Sequence, residues 1–375
     1  MKLLNILSFL FSILLLIACS ENKNYSVEEK NGITILKNKN KPAKPNLTAK
    51  LSKKFTINSL SEDSLQNFTN IHTVTCDKYG NIYLLDKDKV SVKKYDNQGN
   101  FLTAFASRGS GPGELNRPSS ICIKGDTVLI NDLNTQMTSK FSSSGIFIKN
   151  IPYTSNVPRK IQPIDDKRYA NIQFSYQNDP DGLKILGSLV ISDDQFSDDL
   201  KIWENFAPYG NTTDLHEFYP EFHVGKNKIY IADNSRDKYQ IFVYDFNGTK
   251  LKEIRKDYIR IKMDTKDLET LKSNFKKSNP YLDSVRVEVT NKFALLDIEL
   301  DKDENIWIKP SLDERDIDKY GKAFDIFDKE GIFQNRIYLE EIPSNSRINF
   351  YGDILIVTDV DGLKVDVYDY RLIST

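Results

Sequence analysis

One phrase recurs along this chain. A turn built on Gly, Asp or Asn is followed by an apolar run, which an Asp usually closes. Asp77-Lys78-Tyr79-Gly80-Asn81 opens Ile82-Tyr83-Leu84-Leu85-Asp86, and a second run, Val90 to Asp96, leads to Gln98-Gly99-Asn100-Phe101-Leu102. Such runs, punctuated by turn residues, read as short strands. The phrase returns at Gly125 to Asp132, Asn227 to Asp233, Asp303 to Ile308 and Gly352 to Asp359, each followed by a further strand. A weaker copy lies at Lys167 to Phe174 and Gly187 to Asp193, which makes six units. Ile82 and Val128 are 46 residues apart, and Ile306 and Ile354 are 48 apart. Periods of this size with four strands each are the signature of propeller blades. A β-sandwich is the alternative, but it would not repeat one strand–turn–strand wording six times. The fold expected is all-β: a six-bladed β-propeller of four-stranded blades spanning 51–375.

The last unit ends soon after its third strand, Val365 to Tyr370. Lys54 to Asn58, near the other end of the domain, is expected to supply the missing outer strand and so remove an open edge. Ile229 and Ile306 are 77 residues apart, about 30 more than one blade, so about 257–296 is an insertion. Within it Asp264 is placed to cap a helix near 264–278 carrying Leu268, Leu271 and Phe275. That helix is either a lid or docking element, or a decoration on the outer edge.

Residues 1–18 carry one charge, Lys2, and then an apolar run from Ile6 to Ala18. The run is too short for an ordinary spanning helix and has the layout of an export signal. It ends in Leu16-Ile17-Ala18-Cys19. These four residues resemble the lipobox of bacterial lipoproteins, in which a peptidase cuts before the Cys and the thiol is acylated. The resemblance makes Cys19 the lipidation site, and Ser20 after it resembles an outer-membrane address, on a side left open. An ordinary signal peptide with a chance Cys is the alternative. Acyl chains contribute about 0.8 kcal/mol per buried CH₂, so two or three anchor stably. Residues 19–50, rich in Lys, Asn, Glu and Pro, are expected to be a mostly extended tether.

Gly109-Ser110-Gly111-Pro112-Gly113-Glu114-Leu115, followed by Arg117-Pro118, joins the first two units. This resembles the linker of NHL-type repeats. With the lipobox, the chain resembles the six-bladed β-propeller lipoproteins of Bacteroidetes. A glycine-rich loop also invites a phosphate reading. However, Glu114 stands where a P-loop needs Lys-Ser/Thr, and a strand follows instead of a helix.

Composition narrows the function. With 52 Lys+Arg against 53 Asp+Glu, the chain has no electrostatic footprint for nucleic acid. Its three His (His72, His216, His223) show no metal-binding spacing. NHL-type lyases and quinone-dependent propeller dehydrogenases rely on several channel His, which this chain is short of. Cys76 and Cys122 fall at equivalent positions in neighbouring blades, too far apart for a bridge, and are expected as buried free thiols. Tyr95, Phe141, Tyr244, Phe327 and Tyr368 recur in third strands and are expected to pack between blades.

Short A–B and C–D turns lie on one face of the disc; longer B–C and D–A connections lie on the other. Binding is expected on that second face. It would present Asp86, Lys89, Arg108, Glu114, Asp132, Asn134, Asp233, Arg236 and Asp359. The Asp after each second strand (Asp86, Asp132, Asp233, Asp359) invites a calcium reading. Capping of the B–C turn by the same side chain is the alternative. The expectation is a lipid-anchored, extracytoplasmic binding or scaffold propeller engaging a protein, peptide or glycan, with no catalytic residue and no cofactor assigned. A calcium-dependent hydrolase or lyase acting on a sugar or peptide at the channel mouth is the rival.

Overall fold

The computed structural model describes residues 23–153, 156, 158–180, 182–197, 199–208, 219–278, 289–313 and 322–374. They form six antiparallel blades around an axis. Blade I comprises Ile71–Cys76, Ile82–Asp86, Ser91–Tyr95 and Phe101–Phe105, and blade II Pro118–Lys124, Thr127–Asp132, Met137–Ser142 and Phe147–Pro152. Blade III comprises Ile161–Pro163, Arg168–Asp179, Gly182–Asp193 and Asp199–Pro208; blade IV comprises Glu221–Val224, Lys228–Ala232, Tyr239–Asp245 and Lys250–Lys256. Blade V is Leu295–Leu300, Ile306–Pro310, Lys322–Phe327 and Phe333–Leu339. Blade VI takes Arg347–Tyr351, Ile354–Thr358 and Lys364–Ser374 from the end of the domain and Leu47–Asn58 from its start. That last pairing runs antiparallel from Lys364↔Asn58 to Ser374↔Leu47 and closes the ring, as the sequence implied.

The turn grammar has a physical cause. In blade I the Asp77 carboxylate accepts hydrogen bonds from the Tyr79 and Asn81 amides, the Asn81 side chain and the Tyr83 hydroxyl. Asp301 repeats the device in blade V with the Asp303 and Asn305 amides, the Asn305 side chain and Trp307 Nε1. One acidic side chain thus satisfies a whole tight turn and ties it to the next strand. Glycine is required where a turn presses on the neighbouring blade. Gly145 has φ +87°, and a Cβ there would lie 2.7 Å from the Phe105 ring.

Six apolar clusters fill the six seams between blades. Tyr95, Phe141, Tyr244, Phe327 and Tyr368 each fall in a different one, the wedge role expected of them. Trp307 is the largest fully buried side chain and packs on Phe350 at 4.6 Å between ring centroids. Truncating it to Ala would cost about 3–5 kcal/mol. Cys76 and Cys122 are free thiols, and burial pushes the Cys122 thiol up to about 12.

The expected extended tether is corrected for its described part. Tyr25–Lys30 and Ile33–Asn38 form a hairpin whose second strand pairs in parallel with the outer strand of blade IV, Thr34↔Lys252 to Asn38↔Lys256. Ile33 to Leu36 is the reason: Ile35 and Leu36 are buried, and Leu36 joins the blade IV–V core. The Asn38 side chain donates to the Arg255 and Gly331 carbonyls and accepts from the Phe333 amide, so the segment is stitched to two blades. Residues 1–18, Cys19, Ser20 and His216 lie outside the described residues. No helix among the described residues is long and apolar enough to cross a membrane.

The insertion carries the expected helix, Thr265–Ser278. Asp264 Oδ1 accepts the Asp267 amide while Asp267 Oδ2 accepts the Asp264 amide, a reciprocal cap. Leu268 and Leu271 are half-buried, and the Phe275 side chain lies outside the described residues.

Candidate functional site

The face carrying the B–C and D–A connections holds the nine candidate residues, and the structure sorts them into structural pins and exposed groups. Asp86 and Asp132 are fully buried. Asp86 accepts from the Asp88 and Lys89 amides on one oxygen and the Thr69 amide on the other. Asp132 does the same with Asn134 and Thr135 on one side and Asn116 and Arg117 on the other. Each carboxylate therefore ties its own B–C turn to the incoming D–A connection. As ligand residues both are corrected: their lone pairs already serve buried amides. Asp359 accepts the Leu363 and Lys364 amides and so closes its own B–C turn. Among the described residues no group of three or more His, Cys, Asp or Glu is placed to hold a metal ion.

Glu114 is also a pin. Its carboxylate accepts the Gly111 amide at 2.8 Å, and a Cβ on Gly109 would lie 2.0 Å from Glu114 Oε2. The glycine loop thus encloses its own carboxylate, which occupies the place a phosphate would take. Arg108 donates to the Asp88 and Asn116 carbonyls, Asn134 to the Asn116 side chain, and Lys89 to the Asn67 carbonyl. Arg108, Asp132 and Asn134 therefore converge on Asn116 at the blade I–II seam. Burial holds the Asp233 carboxyl above its ordinary range. Arg236 donates to the Asn291 carbonyl at 2.6 Å and stacks 3.7 Å from the Phe293 ring centroid, which fastens the insertion to blade IV.

The pattern in the loops did not reveal the ring axis. All six inner strands line a cavity of about 320 Å³ there. Lys160 Nζ lies 3.1 Å from Glu221 Oε2, and His223 Nδ1 lies 3.5 Å from Glu299 Oε2. Asn349 donates to Glu299 Oε1 at 3.2 Å. Burial, reinforced by the Asp297 charge, pushes the Glu299 carboxyl up to about 8, against the pull of Lys160. Burial and then Lys160 push His223 down to about 3. At neutral pH the pair is therefore a largely protonated carboxylic acid beside an uncharged imidazole.

The loop-rich mouth of this cavity is cationic. Burial, and then Lys87 and Arg347, lower His72 to about 4, and the charged form of Arg159 is disfavoured by burial and then by Arg117. Thr73 Oγ1, Ser119 Oγ, Arg159 Nε and His223 Nδ1 are buried with no hydrogen-bond partner among the described residues. Only a few buried polar groups are unpaired in native folds. Two of these four atoms, Thr73 Oγ1 and His223 Nδ1, belong to residues that line the axial cavity. A signal did exist in the sequence: the inner strands interleave polar residues with apolar ones, His72, Gln162, His223, Glu299 and Asn349 among them. Reading it required knowing that first strands face the axis.

A protein-family model described as a 6-bladed beta-propeller matches residues 23–220. No curated protein matches the chain. Among solved structures, a member of the duf4221 family from Bacteroides vulgatus is 10% identical, with a TM-score of 0.50, over 88% of this chain and 100% of that one. A candidate exported protein from Bacteroides fragilis is 10% identical, with a TM-score of 0.48, over 90% and 99%. A gluconolactonase from Xanthomonas campestris is 8% identical, with a TM-score of 0.49, over 88% and 97%. At these identities the likeness concerns the fold alone.

Proposed function

The chain belongs to the 6-bladed β-propeller family whose model matches it, and from that premise we propose that it is a lipid-anchored, extracytoplasmic binding protein. Its ligand is a peptide or glycan segment held in the axial cavity from the loop-rich side. One observation carries this reading: Thr73 Oγ1 and His223 Nδ1 are buried without a partner among the described residues and line the axial cavity, while Ser119 Oγ and Arg159 Nε are unpaired at the starts of neighbouring inner strands. A hydroxyl- or amide-rich ligand would pair them, and Lys160, Glu221 and Asn349 would fix its orientation. NHL-like linkage of the blades rests on the Gly109–Leu115 turn, and the address rests on residues 1–19. Incorporation of an alkyne-labelled fatty acid, lost in Cys19→Ala, tests the anchor. Peptide and glycan arrays probed with the purified protein test the ligand. Binding to one class that weakens about tenfold, about 1.4 kcal/mol, in Arg159→Ala and His223→Ala is expected; binding indifferent to both would remove the axial site.

A second reading has its own support. A carboxyl with its pKa near 8 beside a neutral imidazole is the arrangement of a general acid. A hydrolase or lyase acting on a sugar or peptide would use Glu299 to protonate the leaving group. Turnover of a glycoside, lactone or peptide panel that disappears in Glu299→Gln would establish it. The calcium dependence considered for such an enzyme has no support from Asp86 and Asp132, whose oxygens serve amides.

A further inference from the structure

The seam between blades IV and V opens on the loop-rich face into a pocket of about 600 Å³ that shares no lining residue with the axial cavity. The insertion builds one wall, through Tyr258 to Lys262 and Phe293; blade V supplies Pro310 to Asp313. Arg236, stacked on Phe293, and the Tyr258 hydroxyl, which donates to the Arg236 carbonyl, hold that wall in place.

The floor carries an unbalanced charge. Asp325 is fully buried and faces two cations. Arg336 donates to it through both nitrogens, Nε to Oδ1 at 2.6 Å and Nη2 to Oδ2 at 2.9 Å. The Tyr239 hydroxyl adds a third bond at 2.9 Å. Lys256 reaches the same carboxylate at 3.4 Å with its side chain 1% exposed. Its ammonium otherwise lies over the Tyr239 and Phe333 rings, 4.9 and 4.6 Å from their centroids. One carboxylate thus answers the buried Lys256 and the half-buried Arg336, and burial lowers the Lys256 pKa. At the rim Arg260 is paired with Asp237 at 3.2 Å, while Lys262 and Asp313 lie on opposite walls. Formal charge around the pocket therefore sums to one excess positive. Isolated buried charge is costly unless paired, and a single negative charge would balance it. The walls are apolar: Tyr239, Tyr258, Phe293 and Leu312 line the space, and Ile259 stands 83% exposed at its edge.

We propose that this pocket binds a small monocarboxylate with an aromatic or aliphatic body, the carboxylate toward Lys256 and Arg336 and the body against Tyr258, Ile259 and Phe293. A phosphate dianion would overshoot the charge and leave the apolar walls unused. The pocket would also give the insertion a task that no other blade has. The proposal does not depend on the axial site.

Phenylacetate, phenylacetamide and inorganic phosphate serve as probes in NMR titrations of the purified protein, read at the Ile259 and Ala294 methyl groups. Phenylacetate is expected to give saturable shifts at least about tenfold tighter than phenylacetamide or phosphate, about 1.4 kcal/mol. Lys256→Met is expected to remove the preference for acid over amide while Arg336 and Asp325 stay paired. Ile259→Asp, at an exposed position, is expected to weaken phenylacetate by a similar factor with an unchanged thermal midpoint. Equal binding of acid and amide, phosphate binding as tight as phenylacetate, or no saturable shift at either methyl with any probe would overturn the proposal. A preference that survives Lys256→Met would overturn it as well.

Discussion

The seam between blades I and II and the seam between blades IV and V lie on the same face and are built from the same repeat, yet they finish differently. At the first, every conspicuous polar group answers another part of the chain. Glu114 fills its own glycine turn, Asp132 pins two connections, and Arg108 and Asn134 close on Asn116. At the second, an insertion keeps the blades' connections apart. It leaves a volume of about 600 Å³ above a buried lysine and a half-buried arginine that share one carboxylate. The lesson is that a recognisable motif can mark a completed structural job, whereas an unspent charge or an unpaired donor marks a place for something else.

This contrast can be broken at several points. The largest effect is expected from Asp325→Asn, which leaves Lys256 and Arg336 facing each other without a counter-charge. A loss of about 3–5 kcal/mol in chemical denaturation is expected. Lys256→Met, which instead leaves a neutral pair, should change stability by no more than about 1 kcal/mol. Equal losses in both would mean that Lys256 is a structural pin, like Asp132. Asp132→Ala should cost about 3 kcal/mol with an unchanged denaturant slope, because buried amides lose their acceptor. A loss under about 0.5 kcal/mol would mean that water replaces the carboxylate and the seam is less closed than described.

The axial acid offers a smaller, pH-dependent test. Glu299 holds its proton up to about 8 in the folded chain, whereas its ordinary value is 4.5. Between those values the folded state binds more protons than the unfolded state, so stability falls as pH rises. His223, lowered from 6.5 to about 3, contributes stability that is present above 6.5 and lost as pH falls. In the window from pH 6.5 to 8 Glu299 titrates together with Lys322, which burial lowers from 10.5 to about 7 and whose stability contribution rises with pH, so Glu299 is read from the difference between the parent and its variant. Glu299→Gln is expected to remove a contribution that falls by about 2 kcal/mol across this window, so that its stability rises with pH relative to the parent. An unchanged slope would show that Glu299 is ionised in the fold.

The architecture was legible because propeller blades repeat their turns, and each turn needs the same Asp, Gly and Asn. Asp77 and Asp301 do identical work 224 residues apart. The outer strand from 47–58 was legible from the shortfall in the last unit. The hairpin at 25–38 was not, because its polar composition describes its exposed side, while Ile35, Leu36 and Asn38 are buried and Tyr25 packs against the blade IV–V core. The site was legible least of all. Asp86 and Asp132 drew attention by recurring, but recurrence in a repeat fold reflects shared backbone geometry. The axial group comes one or two residues at a time from strands far apart in sequence. His223 and Glu299 are 76 residues apart and meet only when the ring closes.

The most direct test of the account is a structure of the purified protein with whichever peptide or glycan the arrays select. The account predicts density in the axial cavity, with ligand atoms within hydrogen-bond distance of Thr73 Oγ1, Lys160 Nζ and His223 Nδ1. Ligand bound on the outer walls of the disc, with those atoms unchanged, would contradict it.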